Sequence, residues 1–246
     1  MVRYSKLAPV AGPVAPTPDP STFESGDFIW PKKPDVYVPY HAGASATPEQ
    51  DAAQWQQERA TFLESLASRP THFNAAGIER LKLLDYKGFY ALYVGDRPPE
   101  QFEPFGIGDG VYVGHVAIVE LDANGTPWVV EALYRQGVIR QSYQQWLASR
   151  PGELVWHGRV RDCDTKERAR IAAESKHYIG RPYNFWNFDL DDARDFYCSK
   201  LVWLSVLKAL EFAVDGNPKP ERMFWLSPKQ LLNTDAVLPL HVPAPY

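Results

Sequence analysis

The chain has 246 residues, of which 45% are hydrophobic and 13% aromatic, so it is long enough to bury a sizeable core. A formal net charge of −4 and scattered basic residues give no electrostatic reason to expect nucleic acid as a partner. No apolar run approaches the roughly 20 residues that span a bilayer, and prolines break up the N-terminal stretch, so we expect a chain made in the cytoplasm without a Sec signal or a transmembrane segment.

Proline is frequent in residues 1–46, where it disfavours regular helix and central strand. We therefore predict an extended N-terminal arm. Its aromatic residues favour an arm that is docked on the rest of the protein over a disordered tail. These residues are Phe28, Trp30, Tyr37 and Tyr40.

A helix is predicted over 48–67. Thr47 is suited to its N-cap, proline follows at the first helical position, and Gln50 occupies the third position of a capping box. A second short helix is predicted over 74–84. We interpret 47–86 as a helical extension whose residues serve packing.

From residue 87 the pattern changes to short strands and helices. Strands are predicted at 89–94, 110–121, 127–133, 137–139 and 153–160. Helices are predicted at 142–148, 165–178, 196–212 and 227–232. Because the strands cluster together with helices before and after them, we predict an α+β fold and assign 87–246 as its main domain.

The segment 196–212 is the predicted central helix. Its apolar residues lie on more than one face, which indicates a largely buried helix. Cys198 falls in the first turn, and Asp195 is the predicted N-cap. Free backbone N–H groups and the helix dipole stabilise a thiolate at that position, and the thiolate is the reactive form of cysteine. The alternative is a structural cysteine, because free cysteine is among the most buried residue types.

A thiol nucleophile needs a base, and the base needs an acceptor that orients it. Among the six histidines, His115 is the best-placed candidate base. It lies in a predicted strand beside Gly114, which would let another chain segment or a substrate approach the backbone closely. The alternative is a structural strand histidine.

Glu131 is the candidate acceptor, because a carboxylate in an otherwise apolar strand is costly unless it is paired. A two-residue turn at Asn124-Gly125 would put it on the wrong face of the sheet. A longer loop that shifts the pairing by one residue sets Glu131 opposite Ala117, on the His115 face. Pairing is then expected through the Nδ1–H of His115, and the alternative is an edge glutamate that faces water.

Two cysteines, Cys163 and Cys198, exclude a disulfide framework and leave a single bridge open. Cys163 also precedes a helix, but the adjacent carboxylate of Asp164 raises the pKa of a thiol, so Cys198 is the preferred nucleophile. The sequence contains no CxxC, HExxH, GxGxxG or P-loop motif. We therefore predict neither a metal site nor a cofactor.

Five segments of the sequence together resemble a known family. The segments GHVAIVEL, WVVEAL, GVI, YIGRPYNFWNF and FYCSKLVW, within about 90–232, are similar to the permuted papain-like thiol hydrolases of the YiiX type, relatives of the NlpC cell-wall peptidases. In that family the histidine strand comes first, a glutamate on the next strand second, and the cysteine helix last. The resemblance implies a permuted papain-like fold with an N-terminal extension, in which an antiparallel sheet packs against a central cysteine-bearing helix.

Carried over to this sequence, the resemblance implies a catalytic triad. Cys198 would be the nucleophile, His115 the base and later the acid, and Glu131 the group that orients the histidine. Tyr197 precedes the cysteine as in the family, and Tyr183 falls in the segment that lines the family's cleft.

With Gly114, these two tyrosines are the predicted substrate contacts. The sequence also departs from the family pattern. Lys200 and Asn184 stand where the family usually has acidic residues. These departures leave the triad intact and put the substrate in doubt.

The implied reaction is hydrolysis of an amide through a thioester, and the NlpC relatives imply peptidoglycan stem peptides as the substrate. Without a Sec signal, we expect a dedicated secretion system to deliver the protein to the periplasm as an antibacterial effector, with an immunity protein as a partner. Two alternatives stay open. One is a lipid acyl hydrolase or acyltransferase, because the permuted fold resembles that of lecithin:retinol acyltransferase. The other is a non-catalytic binding module.

Overall fold

The computed structural model describes residues 14–33, 47–67, 75–94, 114–222, 225–244 and 246, which contain one six-stranded antiparallel sheet in the order β4-β3-β2-β1-β5-β6. The strands are β1 (Phe28–Lys32), β2 (Ala117–Leu121), β3 (Pro127–Leu133), β4 (Gly137–Ser142), β5 (Leu154–Val160) and β6 (Val237–His241). The helices are α1 (Pro48–Ala67), α2 (Ala75–Leu83), α3 (Tyr86–Val94), α4 (Tyr143–Ala148), α5 (Thr165–Lys176), α6 (Cys198–Leu210) and α7 (Pro228–Leu232). The predicted α+β class is confirmed.

Each face of the sheet is covered by a hydrophobic core. Helix α6 contacts β2 and β3 and is buried continuously from Cys198 to Val206, as the predicted central helix should be. It belongs to the larger core together with strand residues such as Ile118 and Val130. The opposite face carries a smaller core, hereafter the second core, made of Phe23, Ile29, Ala117, Val119, Val129, Tyr143, Trp146 and Val155.

The sequence allowed two loop lengths for the β2–β3 hairpin, and the structure has the longer one. Ile118 pairs with Val130, which is the register shifted by one residue from that of a two-residue turn. Gly125 closes the loop with a φ of +77°, a conformation that glycine adopts without steric cost. The same register continued by one residue sets Glu131 opposite Ala117, as this alternative requires.

Strand β1 comes from the proline-rich arm and lies inside the sheet, between β2 and β5. Its Phe28 and Trp30 are fully buried, so this part of the arm is docked, but it forms a central strand, which proline was expected to disfavour. Pro31 is tolerated because β1 pairs with β2 only through its first two residues. On the other side, the amide of Val155 donates to the carbonyl of Pro16 and not to β1. No hydrogen bond of the sheet therefore requires an N–H from Pro31.

Two further elements differ from the prediction. Residues 89–94, predicted as a strand, belong to α3, because the Asp85 carboxylate accepts a hydrogen bond from the Gly88 amide at 2.6 Å and caps a helix there. A short apolar run fits a strand and a buried helix equally well until such a cap is recognised. Strand β6 was not predicted, but it lies at the sheet edge beside β5, where its Pro239 is tolerated.

Several predictions fall on parts of the chain that the structure does not describe. Tyr37, Tyr40 and residues 110–113 of a predicted strand lie outside the described residues. The division into 1–46, 47–86 and 87–246 stays a prediction, with the addition that the first range supplies a strand of the sheet. No helix within the described ranges has the length and apolar character needed to cross a membrane.

Candidate active site

Cys198 is the first residue of α6, and it is 8% exposed. The N-cap is Tyr197, which makes no side-chain hydrogen bond to the helix, so the prediction of Asp195 as the cap is wrong. Asp195 instead accepts hydrogen bonds from the side-chain amides of Asn187 (2.6 Å) and Asn184 (3.1 Å). The first turn of α6 therefore has no side-chain cap, and its amides and dipole favour negative charge at the thiol.

His115 lies just before β2 rather than inside it, at the sheet end nearest the α6 N-terminus. Its Nε2 lies 2.6 Å from Oε2 of Glu131, and its side chain is 21% exposed. The expected pairing through Nδ1 is wrong, because the sequence does not determine which way the ring faces. With Nε2 held by the carboxylate, Nδ1 is the ring nitrogen left to interact with the Cys198 thiol, whose pKa His115 lowers.

Glu131 is fully buried, and both of its carboxylate oxygens have hydrogen-bond donors. Oε2 accepts from His115, from the Arg150 guanidinium (2.9 Å) and from the Trp146 indole (3.1 Å). Oε1 accepts from the Gln141 amide at 2.6 Å. Burial alone would raise the pKa of Glu131, but the hydrogen bond to His115 and the charges of His115 and Arg150 hold that pKa below its ordinary value. The carboxylate is therefore ionised and fixed in position.

Sequence reasoning missed Gln141, Trp146 and Arg150. Gln141 comes from β4, the neighbour of β3, while Trp146 comes from α4 and Arg150 follows that helix. The available signal was the helix predicted directly after the fourth strand, which the Ser142 capping box confirms. That signal places a helix near β3 but does not tell which of its side chains turn toward the carboxylate.

The thiol and the imidazole shift each other's protonation toward an ion pair. Burial opposes both shifts, but the mutual hydrogen bond and charge outweigh it. The pKa of Cys198 is lowered below its ordinary value, with a further contribution from the backbone amide of Val116. Hydrogen bonds to Cys198 and Glu131 raise the pKa of His115 to about 9. Both shifts favour a thiolate beside an imidazolium over a neutral thiol beside a neutral imidazole.

The two predicted tyrosine contacts differ in their surroundings. Tyr183 is half-buried and forms a β-bridge with Phe196, two residues before Cys198. Burial together with the charge of Cys198 raises the pKa of its phenol well above the ordinary value. Tyr197 is 2% exposed, and its hydroxyl accepts a hydrogen bond from the Leu226 amide at 3.0 Å. We therefore interpret Tyr197 as a packing residue and keep Tyr183 as the candidate contact.

Gly114 does allow a close approach to the backbone, but the approaching group belongs to the chain itself. A Cβ at this position would lie 1.8 Å from the hydroxyl oxygen of Tyr246. The Tyr246 ring packs edge-on against Trp156, with 4.8 Å between the ring centroids. An intramolecular contact thus lies at Gly114, next to His115, and a substrate contact there stays a prediction.

The other candidate nucleophile is in a different environment. Cys163 is partly exposed, and burial together with the nearby Glu167 carboxylate raises the pKa of its thiol. Both cysteines are free, so the single bridge left open by the sequence is not formed. The structure thus gives Cys163 none of the features that lower the pKa of Cys198.

The comparisons with known proteins extend over the part of the chain that holds these residues. A family model described as permuted papain-like amidase enzyme, YaeF/YiiX, C92 family, matches residues 93–240. The protein YiiX of Escherichia coli strain K12 is 30% identical over 108 residues, which are 43% of this chain and 51% of that protein. This chain therefore matches about half the length of that curated relative.

A crystal structure of the metalloprotein YiiX from Escherichia coli O157:H7 is also similar. It has a TM-score of 0.43 and 22% sequence identity, and the match covers 53% of this chain and 83% of that chain. Within the described part of this chain, no group of three or more His, Cys, Asp and Glu side chains is placed to hold a metal ion.

Proposed function

This chain belongs to the permuted papain-like amidases of the YaeF/YiiX type, the C92 family, and on that premise we propose that it is a cysteine amidase in which Cys198, His115 and Glu131 act as the triad. The observation that carries this proposal is the position of Cys198 at the uncapped start of a buried helix, together with His115 bonded to a Glu131 that four donors hold. The opposite pKa shifts of the thiol and the imidazole support it. A structural cysteine requires none of these features.

The proposed reaction begins with attack of the Cys198 thiolate on the carbonyl carbon of an amide. The developing oxyanion would be stabilised by backbone N–H groups at the start of α6, which no side chain caps. His115, as the imidazolium, gives its proton to the leaving amine as the carbon–nitrogen bond breaks, which leaves a thioester on Cys198.

His115 then acts as the base. It removes a proton from water as the water attacks the thioester carbonyl, and the acid product leaves as the thiolate is restored. Glu131 stays ionised throughout and stabilises the imidazolium through Nε2. In this account Gln141, Trp146 and Arg150 hold the carboxylate and do not touch the substrate.

We propose an amide in a peptidoglycan stem peptide as the substrate. The support is the family's amidase description and the resemblance to NlpC cell-wall peptidases in the order of histidine, glutamate and cysteine. Delivery by a secretion system and an immunity partner stay predictions from the sequence.

The test compares wild type, Cys198→Ala and Cys163→Ala on intact peptidoglycan, with the products identified by mass spectrometry. We expect cleavage that is lost in Cys198→Ala alone. If wild type cleaves nothing while iodoacetamide labels Cys198 rapidly, the peptidoglycan substrate is wrong and a lipid or other acyl substrate takes its place. If Cys198 is also inert, the amidase proposal is wrong.

A further inference from the structure

A carboxylate from the helical extension contacts the loop that leads to the proposed nucleophile. Glu58 is on α1, outside the region that the family model matches. Its Oε1 accepts a hydrogen bond from Gln54 at 2.6 Å, and its Oε2 accepts one from the indole of Trp186 at 2.9 Å. Trp186 follows the segment of Tyr183, so α1 packs directly on the loop that leads to Cys198.

Two tyrosines connect this carboxylate to the thiol. Gln54 also donates to the hydroxyl of Tyr134 at 3.1 Å, and the Tyr134 and Tyr183 rings meet edge-on with 5.9 Å between centroids. The Tyr183 backbone forms a β-bridge with Phe196, two residues before Cys198, and the charges of Cys198 and Glu58 both add to the rise that burial causes in the pKa of Tyr183. The carboxylate and the two aromatic rings therefore line the segment that leads to the thiol.

Glu58 is the unbalanced charge in this group. Its two bonding partners, Gln54 and Trp186, are neutral, and within the described ranges it forms no ion pair. Arg135 lies over the Tyr134 ring, 5.4 Å from the centroid, but makes no ion pair with Glu58. Burial raises the pKa of the Glu58 carboxyl, against the opposing hydrogen bond from Trp186, so a cation beside it would gain from the interaction.

We propose that Glu58, Tyr134 and Tyr183 form a subsite beside Cys198 that binds a cationic amine of the substrate. A carboxylate supplies the counter-charge for an ammonium group, and tyrosine faces attract cations through their ring quadrupole. This inference rests on the proposed function and adds the chemical class of the substrate: an amide or acyl compound with a positively charged amine near the scissile bond. The helical extension thus contributes to specificity as well as packing.

The test measures how fast Cys198 reacts with a cationic and a neutral methanethiosulfonate, in a Cys163→Ser background so that one thiol is present. The cationic reagent carries a trimethylammonium-ethyl group, and the neutral reagent carries a methyl group. With either reagent the Cys198 thiolate attacks the sulfur and releases methanesulfinate. Because the reagents differ in size as well as charge, the ratio of their rates is compared between variants of the protein. We expect Glu58→Gln to lower the ratio of cationic to neutral rate about tenfold.

The matched control is Glu64→Gln, which removes the same charge from the exposed side of the same helix. This variant should leave the ratio unchanged, and the neutral rate should be the same in all three proteins if the fold is intact. An unchanged ratio in Glu58→Gln, with a reactive Cys198, overturns the subsite and leaves the amidase proposal standing. A Cys198 that is inert to both reagents overturns the proposed function, and the subsite with it.

Discussion

Two buried clusters in this protein share the same chemical groups, a carboxylate, a histidine and an arginine. In one, Glu131 binds His115 and Arg150. In the other, the Asp27 carboxylate binds His157 Nε2 at 2.7 Å and the Arg159 guanidinium at 2.7 Å. We call these the Glu131 cluster and the Asp27 cluster.

Both clusters contact the second core. Glu131 bonds to the Trp146 indole, and the His157 ring packs edge-on against Phe23 at 4.9 Å. They differ in exposure, since the His115 side chain is 21% exposed and that of His157 is 1% exposed. They also differ in position, because His115 lies at the end of a strand beside the start of α6, whereas His157 lies within β5.

The comparison shows that a carboxylate–histidine–arginine arrangement is not by itself a reactive site. In both places, pairing offsets the free-energy cost of burying a charged side chain. Reactivity requires in addition a nucleophile within hydrogen-bond reach and a route for substrate, and the structure brings a thiol only to the Glu131 cluster. We therefore interpret the Asp27 cluster as a structural tie between β1 and β5.

The largest expected effect separates the two histidines. His115→Ala should lower the rate of amide hydrolysis about 10²- to 10⁴-fold, because it removes both the proton donor and the partner that keeps Cys198 ionised. His157→Ala should leave the rate of the folded protein unchanged. The measurement is kcat/KM on a cleaved substrate, with the folded fraction determined by circular dichroism. Equal losses of rate in the two variants would contradict the division of roles.

Substitution of the two carboxylates should affect stability and activity differently. Asp27→Asn should lower the free energy of unfolding by about 1–3 kcal/mol, because it removes the charged acceptor that His157 and Arg159 share and leaves Arg159 paired with Glu24 alone. Burial would raise the pKa of Asp27, but its bonds to Arg159 and His157 lower it below 3.8. Its stabilisation is therefore present above that pH and is lost as the pH falls through the lowered pKa.

Urea denaturation at several pH values measures this effect. Glu131→Gln is the matched variant in the other cluster, and we expect it to lower both stability and kcat/KM. A fall in kcat/KM for folded Asp27→Asn as large as that for Glu131→Gln would mean that the Asp27 cluster also serves the reaction.

Lys200 sharpens the comparison, because it is a fully buried charge that belongs to neither cluster. Its Nζ has no hydrogen-bond partner among the described residues and lies 5.6 Å from the centroid of the Phe196 ring. Burial lowers the pKa of Lys200 to about 8, against the pull of Asp195 and Asp192. The cost of protonating it is therefore fully present below pH 8 and disappears as the pH rises toward 10.5.

Lys200→Met should raise the free energy of unfolding at pH 7 by about 2–3 kcal/mol, because it removes this buried charge. The gain should shrink above pH 8. Lys208→Met is the control on the same helix, since Lys208 is exposed and paired with Asp191, and it should bring no gain. Destabilisation by Lys200→Met would show that the neighbouring aspartates depend on the ammonium group.

The smallest expected effect concerns the arginines. Arg150 shares Oε2 of Glu131 with His115, so it draws on the negative charge that keeps the imidazolium protonated. Arg150→Gln should move the basic limb of the pH–rate profile upward by about one pH unit, because His115 then has the carboxylate charge to itself. Arg159→Gln should lower stability and leave the profile in place. If the basic limb of the pH–rate profile does not move in Arg150→Gln, the role of Arg150 is packing alone.

Local sequence signals predicted much of this fold. Helix α5 begins at its Asp164 capping box, and β3 has the predicted bounds, because caps and strand alternation depend on neighbouring residues alone. Strand β1 was missed because the tolerance for Pro31 depends on which partner strands reach it, and these lie far away in the sequence. The run at 89–94 was misassigned because its apolar pattern fits both helix and strand.

The same distinction between local signals and contacts from distant parts of the chain applies to the candidate site. The sequence indicated Cys198 by its place in the first turn of a buried helix, His115 by its place in a strand beside a glycine, and Glu131 as a carboxylate in an apolar strand. The choice of Nε2 for the carboxylate and the donors Gln141, Trp146 and Arg150 depend on side-chain directions between separate elements. Glu58 was treated as a packing residue because its neighbours Trp186 and Tyr134 become visible only in the folded chain.

The central claim is that Cys198 and His115 form an ion pair at neutral pH. It is tested most directly by the rate at which iodoacetamide alkylates Cys198 as a function of pH, in a Cys163→Ser background with and without His115→Ala. With His115 present, we predict a fast rate that is nearly constant between pH 7 and 8, because the thiol is already ionised. With His115→Ala, the rate at pH 7 should fall and then rise about tenfold per pH unit. A rate that rises through pH 9 in the same way in both proteins would contradict the account.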